Sequence, residues 1–150
     1  MPRLLELYSG ESSIGRAFEE LGWVTVSVDC DRNSKPTICV DLLQWGLDGY
    51  EVGDFDVIWA RLPCTRYTCS LAGKIFEKTL EIIAYFEPRW WWLENSATGL
   101  IHERPYLERL GEHHLVSSSK DTRLWTNNHH VFAEDRPPLS ADIAYASSRL

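Results

Sequence analysis

Short apolar runs alternate with segments of helical periodicity along the first hundred residues of the chain. Residues 4–7 form one leucine-rich run, and from Ile14 apolar residues recur at the three- and four-residue spacing of an amphipathic helix. Gly22 ends this helix, and residues 23–28 form a second run rich in β-branched side chains. We therefore predict that the chain opens with a β-strand, an α-helix and a second β-strand.

The same alternation continues through the middle of the chain. Residues 37–40 and 55–60 predict two further strands, and apolar spacing predicts a helix over residues 75–86, before Pro88. Residues 90–93 predict a fifth strand that is buried. Because strands that alternate with helices form parallel sheets, we predict a single domain with a three-layer α/β fold and a mainly parallel sheet.

Beyond Gly99 the pattern predicts only short elements. A pair of prolines opens the last of them, since proline is favoured in the first turn of a helix. The predicted helices span residues 103–110 and 139–147, and the predicted strands span residues 115–117, 123–126 and 131–132.

The composition is that of a globular protein, with 44% hydrophobic and 25% charged residues. No apolar run approaches the roughly 18 residues of a membrane-spanning helix, and the first residues do not resemble a signal peptide. We therefore expect a soluble, cytoplasmic protein with no membrane partner and with its four cysteines reduced. Two pairs of adjacent histidines lack accompanying ligand-spaced cysteines, so no metal site is expected.

The net charge of −7 is unusual for a protein that acts on nucleic acid. Lysine and arginine normally supply much of the affinity for phosphate groups, so this charge argues against tight, unaided binding to DNA. Local clustering matters more than the total, and Arg61, Arg66 and Lys74 lie close in sequence to Cys64. A solvated loop with incidental cations is the alternative interpretation of that cluster.

Polar or reactive side chains occur where the predicted strands end. Ligands of parallel α/β sheets bind in the crevice beyond the carboxyl ends of the strands. The turn after the first strand contains Gly10 and Gly15, which allow a ligand to approach the backbone near a helix N-terminus, although a plain tight turn is the alternative. Asp29 suits a pair of ribose hydroxyls, with a capping aspartate as the alternative. The residues at or near the predicted strand ends are Glu6, Asp29, Asp41, Cys64 and Glu94.

Four sequence blocks, taken in order, resemble those of the DNA cytosine-5 methyltransferases, most closely the compact bacterial and phage-type members. The blocks are residues 5–15, 27–31, 55–64 and 88–95, which contain the glycine loop, the ribose-binding acid, the Pro-Cys pair and the Glu-Asn pair. Residues 122–127 are similar to the family's later arginine motif. The resemblance implies a Rossmann-like fold that binds S-adenosylmethionine.

The resemblance also implies a reaction, the transfer of methyl from S-adenosylmethionine to carbon 5 of cytosine in DNA. Cys64 is expected to add to carbon 6, Glu94 to contact nitrogen 3 and the exocyclic amine, Asn95 to orient Glu94, and Arg123 to support the site. A duplex would present a flipped cytosine. A buried structural cysteine and a capping carboxylate are the alternatives for the first two residues. The residues expected to hold the cofactor are Glu6, Tyr8, Gly10, Ser12, Asp29, Cys30, Asp41, Leu42 and Pro63.

The chain departs from the family pattern in several places. Ser12 and Ser13 replace glycines of the cofactor loop, and Arg61 and Leu62 replace the small and aromatic or proline residues that commonly precede the Pro-Cys pair. Residues 126–150 leave no room for a target-recognition domain, so we expect a separate specificity subunit to read the DNA sequence.

Three other functions are considered. A shortened, non-catalytic domain that binds S-adenosylmethionine and needs a partner is the main alternative. A nicotinamide-dependent oxidoreductase is disfavoured because the chain lacks the G-x-G-x-x-G fingerprint. An RNA cytosine target is left open by the sequence.

Overall fold

The computed structural model describes residues 1–63, 69–96, 110, 114–116 and 122–128. Over these residues strands and helices alternate in the predicted order. The elements are β1 (Arg3–Leu7), α1 (Ser13–Glu20), β2 (Val24–Asp29), β3 (Ile38–Cys39), β4 (Val57–Arg61), α2 (Cys69–Phe86), β5 (Trp90–Ser96), β6 (His114–Val116) and β7 (Thr122–Thr126), with short 3₁₀ turns at Arg32–Ser34 and Leu42–Gln44.

Helix α2 begins earlier than the sequence predicted. The apolar spacing placed its start near Ile75, whereas the helix begins at Cys69. Residues 69–74 were missed because they include Ser70 and Gly73, which have low helix propensity, so the helix was followed only from Ile75. The predicted helix at residues 139–147 and the predicted strand at residues 131–132 lie outside the described residues, as does the helix at residues 103–110 apart from Leu110.

The described residues form a seven-stranded sheet in the order β3-β2-β1-β4-β5-β7-β6. The pairs from β3 through β5 are all parallel, whereas β7 runs antiparallel to both β5 and β6. The carboxyl ends of β1, β2, β4 and β5 therefore meet at one edge of the sheet, where a parallel α/β sheet binds its ligands.

The two helices cover opposite faces of this sheet. On one face, Ile14 and Phe18 of α1 pack against Leu4, Val57 and Trp59. The other face packs against α2 through a larger cluster, whose helical members are Phe76, Ile82 and Phe86. Alternation along each strand divides the apolar residues between the two clusters. The predicted three-layer Rossmann-like fold with a mainly parallel sheet is confirmed.

Neither α1 nor α2, the helices of the described residues, is both long enough and apolar enough to cross a membrane.

Candidate active site

A strained loop joins β1 to α1 at the carboxyl edge of the sheet. Tyr8, Gly10 and Ser12 all have left-handed backbone angles, with φ of 55°, 50° and 54°. Such angles are unfavourable for residues other than glycine and persist only when the surrounding structure fixes them. Here the Tyr8 hydroxyl lies 2.9 Å from the Thr79 hydroxyl and 3.3 Å from the Ile75 carbonyl oxygen, so α2 anchors the loop.

Glu6 lies beneath this loop and fixes the start of α1. Its side chain is buried, and its Oε2 accepts a hydrogen bond of 3.0 Å from the Gly15 amide. A carboxylate at a helix N-terminus satisfies a free amide and interacts favourably with the helix dipole. Burial nevertheless raises the pKa of Glu6 to about 7, outweighing the lowering effects of the Gly15 amide and the Arg61 charge. In the structure Glu6 therefore caps the first turn of α1.

Gly15 is the point where α1 approaches β1 and β2 most closely. A Cβ at this position would lie 2.6 Å from Glu6 Oε2 and 2.8 Å from Thr25 Cγ2. Gly15→Ala is therefore expected to displace the Glu6 carboxylate and destabilise the fold by about 2 kcal/mol, as overpacked core substitutions do. Equilibrium unfolding in urea measures this loss.

Gly73 offers a matched control for that substitution. It lies in α2, where an added Cβ meets no atom within 4 Å, so Gly73→Ala is expected to stabilise the protein by about 0.5–1 kcal/mol through helix propensity. Equal stabilities of the two variants would contradict the close approach of α1 to Glu6.

Asp29, at the end of β2, joins two loops. Its Oδ2 accepts a 2.9 Å hydrogen bond from the Gly10 amide, and its Oδ1 accepts a 2.8 Å bond from the Asp31 amide. Each carboxylate oxygen has a second lone pair, so both can accept a further hydrogen bond. The Asp29 side chain thus connects the loop after β1 to the loop after β2.

Three further residues that were expected to hold the cofactor lie after β2 and β3. Asp41 caps the 3₁₀ turn that follows β3, and its Oδ1 accepts a 3.0 Å bond from the Leu43 amide. Leu42 is buried in the cluster on the α2 face. Cys30 is exposed, and desolvation together with the Asp29 charge raises the pKa of its thiol, so it is protonated at neutral pH.

Glu94 has two cationic or donor partners on the neighbouring strand β4. Trp59 Nε1 donates a 3.0 Å hydrogen bond to Glu94 Oε2, and Arg61 Nε lies 3.7 Å from Glu94 Oε1. Arg61 is directly opposite Glu94 in the β4–β5 register, which explains the ion pair. The Glu94 side chain is 15% exposed, so the carboxylate is largely enclosed but still reaches the surface at this edge.

Asn95 and Arg123 lie together, but on the opposite face of the sheet from the Glu94 side chain. The two residues are paired in the β5–β7 register, whereas Glu94 is paired with Leu124. Side chains of adjacent strand residues point to opposite faces. Asn95 is buried, and among the described residues its Oδ1 has no hydrogen-bond partner.

Pro63 is half-buried at the end of the segment that follows β4. Cys64, the predicted nucleophile, lies outside the described residues, as do Arg66 and the rest of the segment before α2. Two residues before Cys64, the Leu62 amide donates a 2.9 Å hydrogen bond to the Glu94 carbonyl oxygen. The backbone leading to Cys64 therefore runs alongside Glu94.

The structure thus brings several of the predicted site residues to one edge of the sheet. It also shows partners that sequence reasoning did not assign, of which Trp59 is the most direct. Trp59 lies in the strand predicted at residues 55–60, and only the β4–β5 register puts its indole against Glu94. Within the described part of the chain, no three His, Cys, Asp or Glu side chains cluster in a way that could hold a metal ion.

Comparison with known sequences gives one informative relative. No protein-family model matches the chain. A frog virus 3 (isolate Goorha) protein named "Probable DNA (cytosine-5)-methyltransferase" is 29% identical over an alignment of 157 residues, which covers 83% of this chain and 70% of the relative. The resemblance that the sequence blocks indicated is therefore confirmed.

Three solved structures have the same fold. An E. coli protein described as a "putative DNA modification methyltransferase encoded within prophage" superposes with a TM-score of 0.56 at 13% identity, covering 84% of this chain. The S. pombe Dnmt2 methyltransferase gives 0.56 at 14% and covers 83%, and the Entamoeba histolytica methyltransferase EhMeth gives 0.59 at 15% and covers 84%. This chain spans 46%, 48% and 52% of their respective lengths, about half of each protein.

Proposed function

We propose that this chain, a relative of the DNA cytosine-5 methyltransferases, transfers a methyl group to carbon 5 of cytosine in DNA. The observation that carries the proposal is the pairing of β4 with β5, which puts the backbone leading to Cys64 beside Glu94. A nucleophile and an acid–base group at neighbouring strand ends match what addition to a cytosine ring requires.

Methyl transfer needs a donor, and we infer that the donor is S-adenosylmethionine. Two features of the described residues suit such a ligand. Each Asp29 carboxylate oxygen accepts one hydrogen bond from a described residue and has a second lone pair, which suits ribose hydroxyls. The buried Ser9 Oγ in the strained loop has no hydrogen-bond partner among the described residues, and a buried polar atom of this kind calls for a ligand or a water. When bound, S-adenosylmethionine supplies the methyl group that carbon 5 receives.

The protein side chains have separate roles in the proposed reaction. The Cys64 thiolate forms a bond to carbon 6, while Glu94 hydrogen-bonds or protonates nitrogen 3 as charge builds on the ring. After carbon 5 has gained the methyl group, loss of its proton and release of the thiolate restore the aromatic ring. Asn95 and Arg123 support the strand that carries Glu94, since they are paired across β5 and β7.

We infer that DNA is presented with the target cytosine flipped out, because both faces of the ring must be reached. The chain has a net charge of −7, which favours help from a separate specificity subunit in binding DNA. A single domain over residues 1–150 and a cytoplasmic location stay predictions.

Covalent trapping on DNA tests the proposed function. Duplexes of mixed sequence that contain 5-fluorocytosine are incubated with the protein and S-adenosylmethionine, and denaturant-stable adducts are measured by mass spectrometry. Fluorine at carbon 5 cannot leave as a proton does, so the Cys64–carbon 6 bond is expected to persist in the wild type. The adduct is expected to be absent in Cys64→Ala.

A second cysteine provides the matched control. Cys39 is exposed at the end of β3, away from β4, so Cys39→Ala is expected to form the adduct as the wild type does. No adduct with the wild type, despite protection against thermal unfolding by S-adenosylmethionine, would favour a non-catalytic cofactor-binding domain. Protection by NAD alone would favour the oxidoreductase alternative.

A further inference from the structure

The contact between Trp59 and Glu94 is built into the core of the sheet. Trp59 is 2% exposed and stacks on Trp92, with ring centroids 5.6 Å apart and planes inclined by 15°. Both tryptophans are opposite each other in the β4–β5 register. The indole therefore cannot rotate away from Glu94 without disturbing a packed pair of rings, so its N–H is a fixed donor.

A fixed donor distinguishes the two oxygens of the Glu94 carboxyl group. An indole N–H can donate a hydrogen bond but cannot accept one. Glu94 Oε2, which receives the 3.0 Å bond from Trp59, must therefore act as an acceptor. Any proton on this carboxyl group is then carried by Oε1, the oxygen that is left to meet a cytosine ring.

Arg61, the partner of Glu94 Oε1, is held much less firmly than Trp59. Arg61 Nε lies 3.7 Å from Oε1, a long ion pair, and its side chain is 47% exposed. The same guanidinium reaches Ser13 Oγ at 3.4 Å. A half-exposed arginine with two distant partners can leave Oε1 when another group arrives, whereas the buried Trp59 cannot leave Oε2.

We propose that Trp59 is a positioning residue that fixes the rotamer of Glu94 and directs its Oε1 towards the target base, while Arg61 screens that oxygen until the base enters. The inference rests on the proposed function, because it assigns a direction to the group that contacts cytosine. Trp59 itself touches no substrate and acts only through Glu94.

Trp59→Phe tests this role because it keeps an aromatic ring against Trp92 and removes only the indole N–H and one ring. Loss of a hydrogen bond to a charged group is expected to lower kcat for methyl transfer about 10- to 100-fold. The KM for S-adenosylmethionine is expected to change less than about twofold, since the cofactor loop is not altered. Trp92→Phe is the matched control, expected to retain kcat because it alters the same stack but not the bond to Glu94.

Coupling to Glu94 separates positioning from loss of packing. In a Glu94→Gln background, Trp59→Phe is expected to cause less than about a threefold further loss, because residues that act through one group are not additive. A full additional loss in that background, or a wild-type kcat in Trp59→Phe, would overturn the inference.

An NMR measurement covers the case in which Trp59→Phe does not fold. The indole proton resonance of Trp59 is expected to move in Glu94→Gln, where the charge-assisted bond becomes neutral, and to stay in place in Glu81→Gln. If the Trp59 indole resonance does not shift in Glu94→Gln, the contact between Trp59 and Glu94 is refuted. If the wild type transfers no methyl group at all, the proposed function fails and the inference falls with it. An active wild type with an unaffected Trp59→Phe variant refutes the inference alone.

Discussion

Glu94→Gln is expected to lower the rate of methyl transfer to cytosine by about 10²–10⁴-fold, the usual contribution of a general acid–base group. Glutamine has nearly the same shape and can still accept the bond from Trp59 through its amide oxygen, so the fold is expected to persist. The amide cannot deliver a proton to nitrogen 3. Single-turnover transfer of a labelled methyl group measures the loss.

Glu81→Gln is the matched control for that substitution. Glu81 is exposed on α2, so the same chemical change is expected to leave the rate unaltered. Thermal protection by S-adenosylmethionine is expected in both variants, because Glu94 is not among the residues inferred to hold the cofactor. An undiminished rate in Glu94→Gln would exclude Glu94 as the group that activates the base.

Glu6 is expected to make the stability of the protein fall as pH rises from about 4.5 to about 7. Its pKa is 4.5 when unperturbed and about 7 in the folded protein. Below the unperturbed pKa, Glu6 is protonated in both the folded and the unfolded protein. Between the two pKa values, Glu6 keeps its proton only in the folded protein. The unfolded state then binds fewer protons, so stability is lost with rising pH, by about 3 kcal/mol in total. Above the folded pKa the contribution of Glu6 no longer changes.

Urea denaturation of the wild type and Glu6→Gln across this pH range measures the effect. Glutamine does not titrate and can still accept the hydrogen bond from the Gly15 amide. The free energy of unfolding of the variant is therefore expected to rise by about 3 kcal/mol relative to that of the wild type as the pH increases across this range. Glu81 lies on an exposed helix surface, so the free energy of unfolding of Glu81→Gln is expected to change with pH as that of the wild type does. If the free energies of unfolding of Glu6→Gln and the wild type differ by the same amount at every pH, the raised pKa of Glu6 is refuted.

Much of the sheet could be predicted because burial leaves a direct pattern in the sequence. Strand β4 was predicted at residues 55–60 and is found at Val57–Arg61, and α1 was expected from Ile14 and begins at Ser13. Strand β4 places all its apolar side chains in the two clusters, and α1 contributes Ile14 and Phe18, so periodicity identifies both elements. The start of α2 was wrong because Ser70 and Gly73 have low helix propensity, so the helix was followed only from Ile75.

The site was predictable in position but not in its contacts. The ends of parallel strands meet at one edge, so the grouping of Asp29 with Glu94 and the segment towards Cys64 followed from the order of elements. The partners of each side chain depend on register and on loop geometry, which no local pattern records. Glu6 was expected to bind the cofactor directly, and its observed bond to Gly15 depends on how closely α1 approaches β1. Whether the cofactor also reaches Glu6 stays a prediction.

The place of β7 in the sheet has a consequence for the protein during its synthesis. β5, which carries Glu94, has β4 on one side and β7 on the other, yet β7 comes from residues 122–126. A nascent chain that has emerged only as far as residue 96 therefore exposes β5 as an open edge, with its outward amides and carbonyls unpaired. Such edges attract other strands, and pairing of distant segments is slow. β5 therefore gains its second neighbour only late in translation, and until then it is an open edge to which other strands can add.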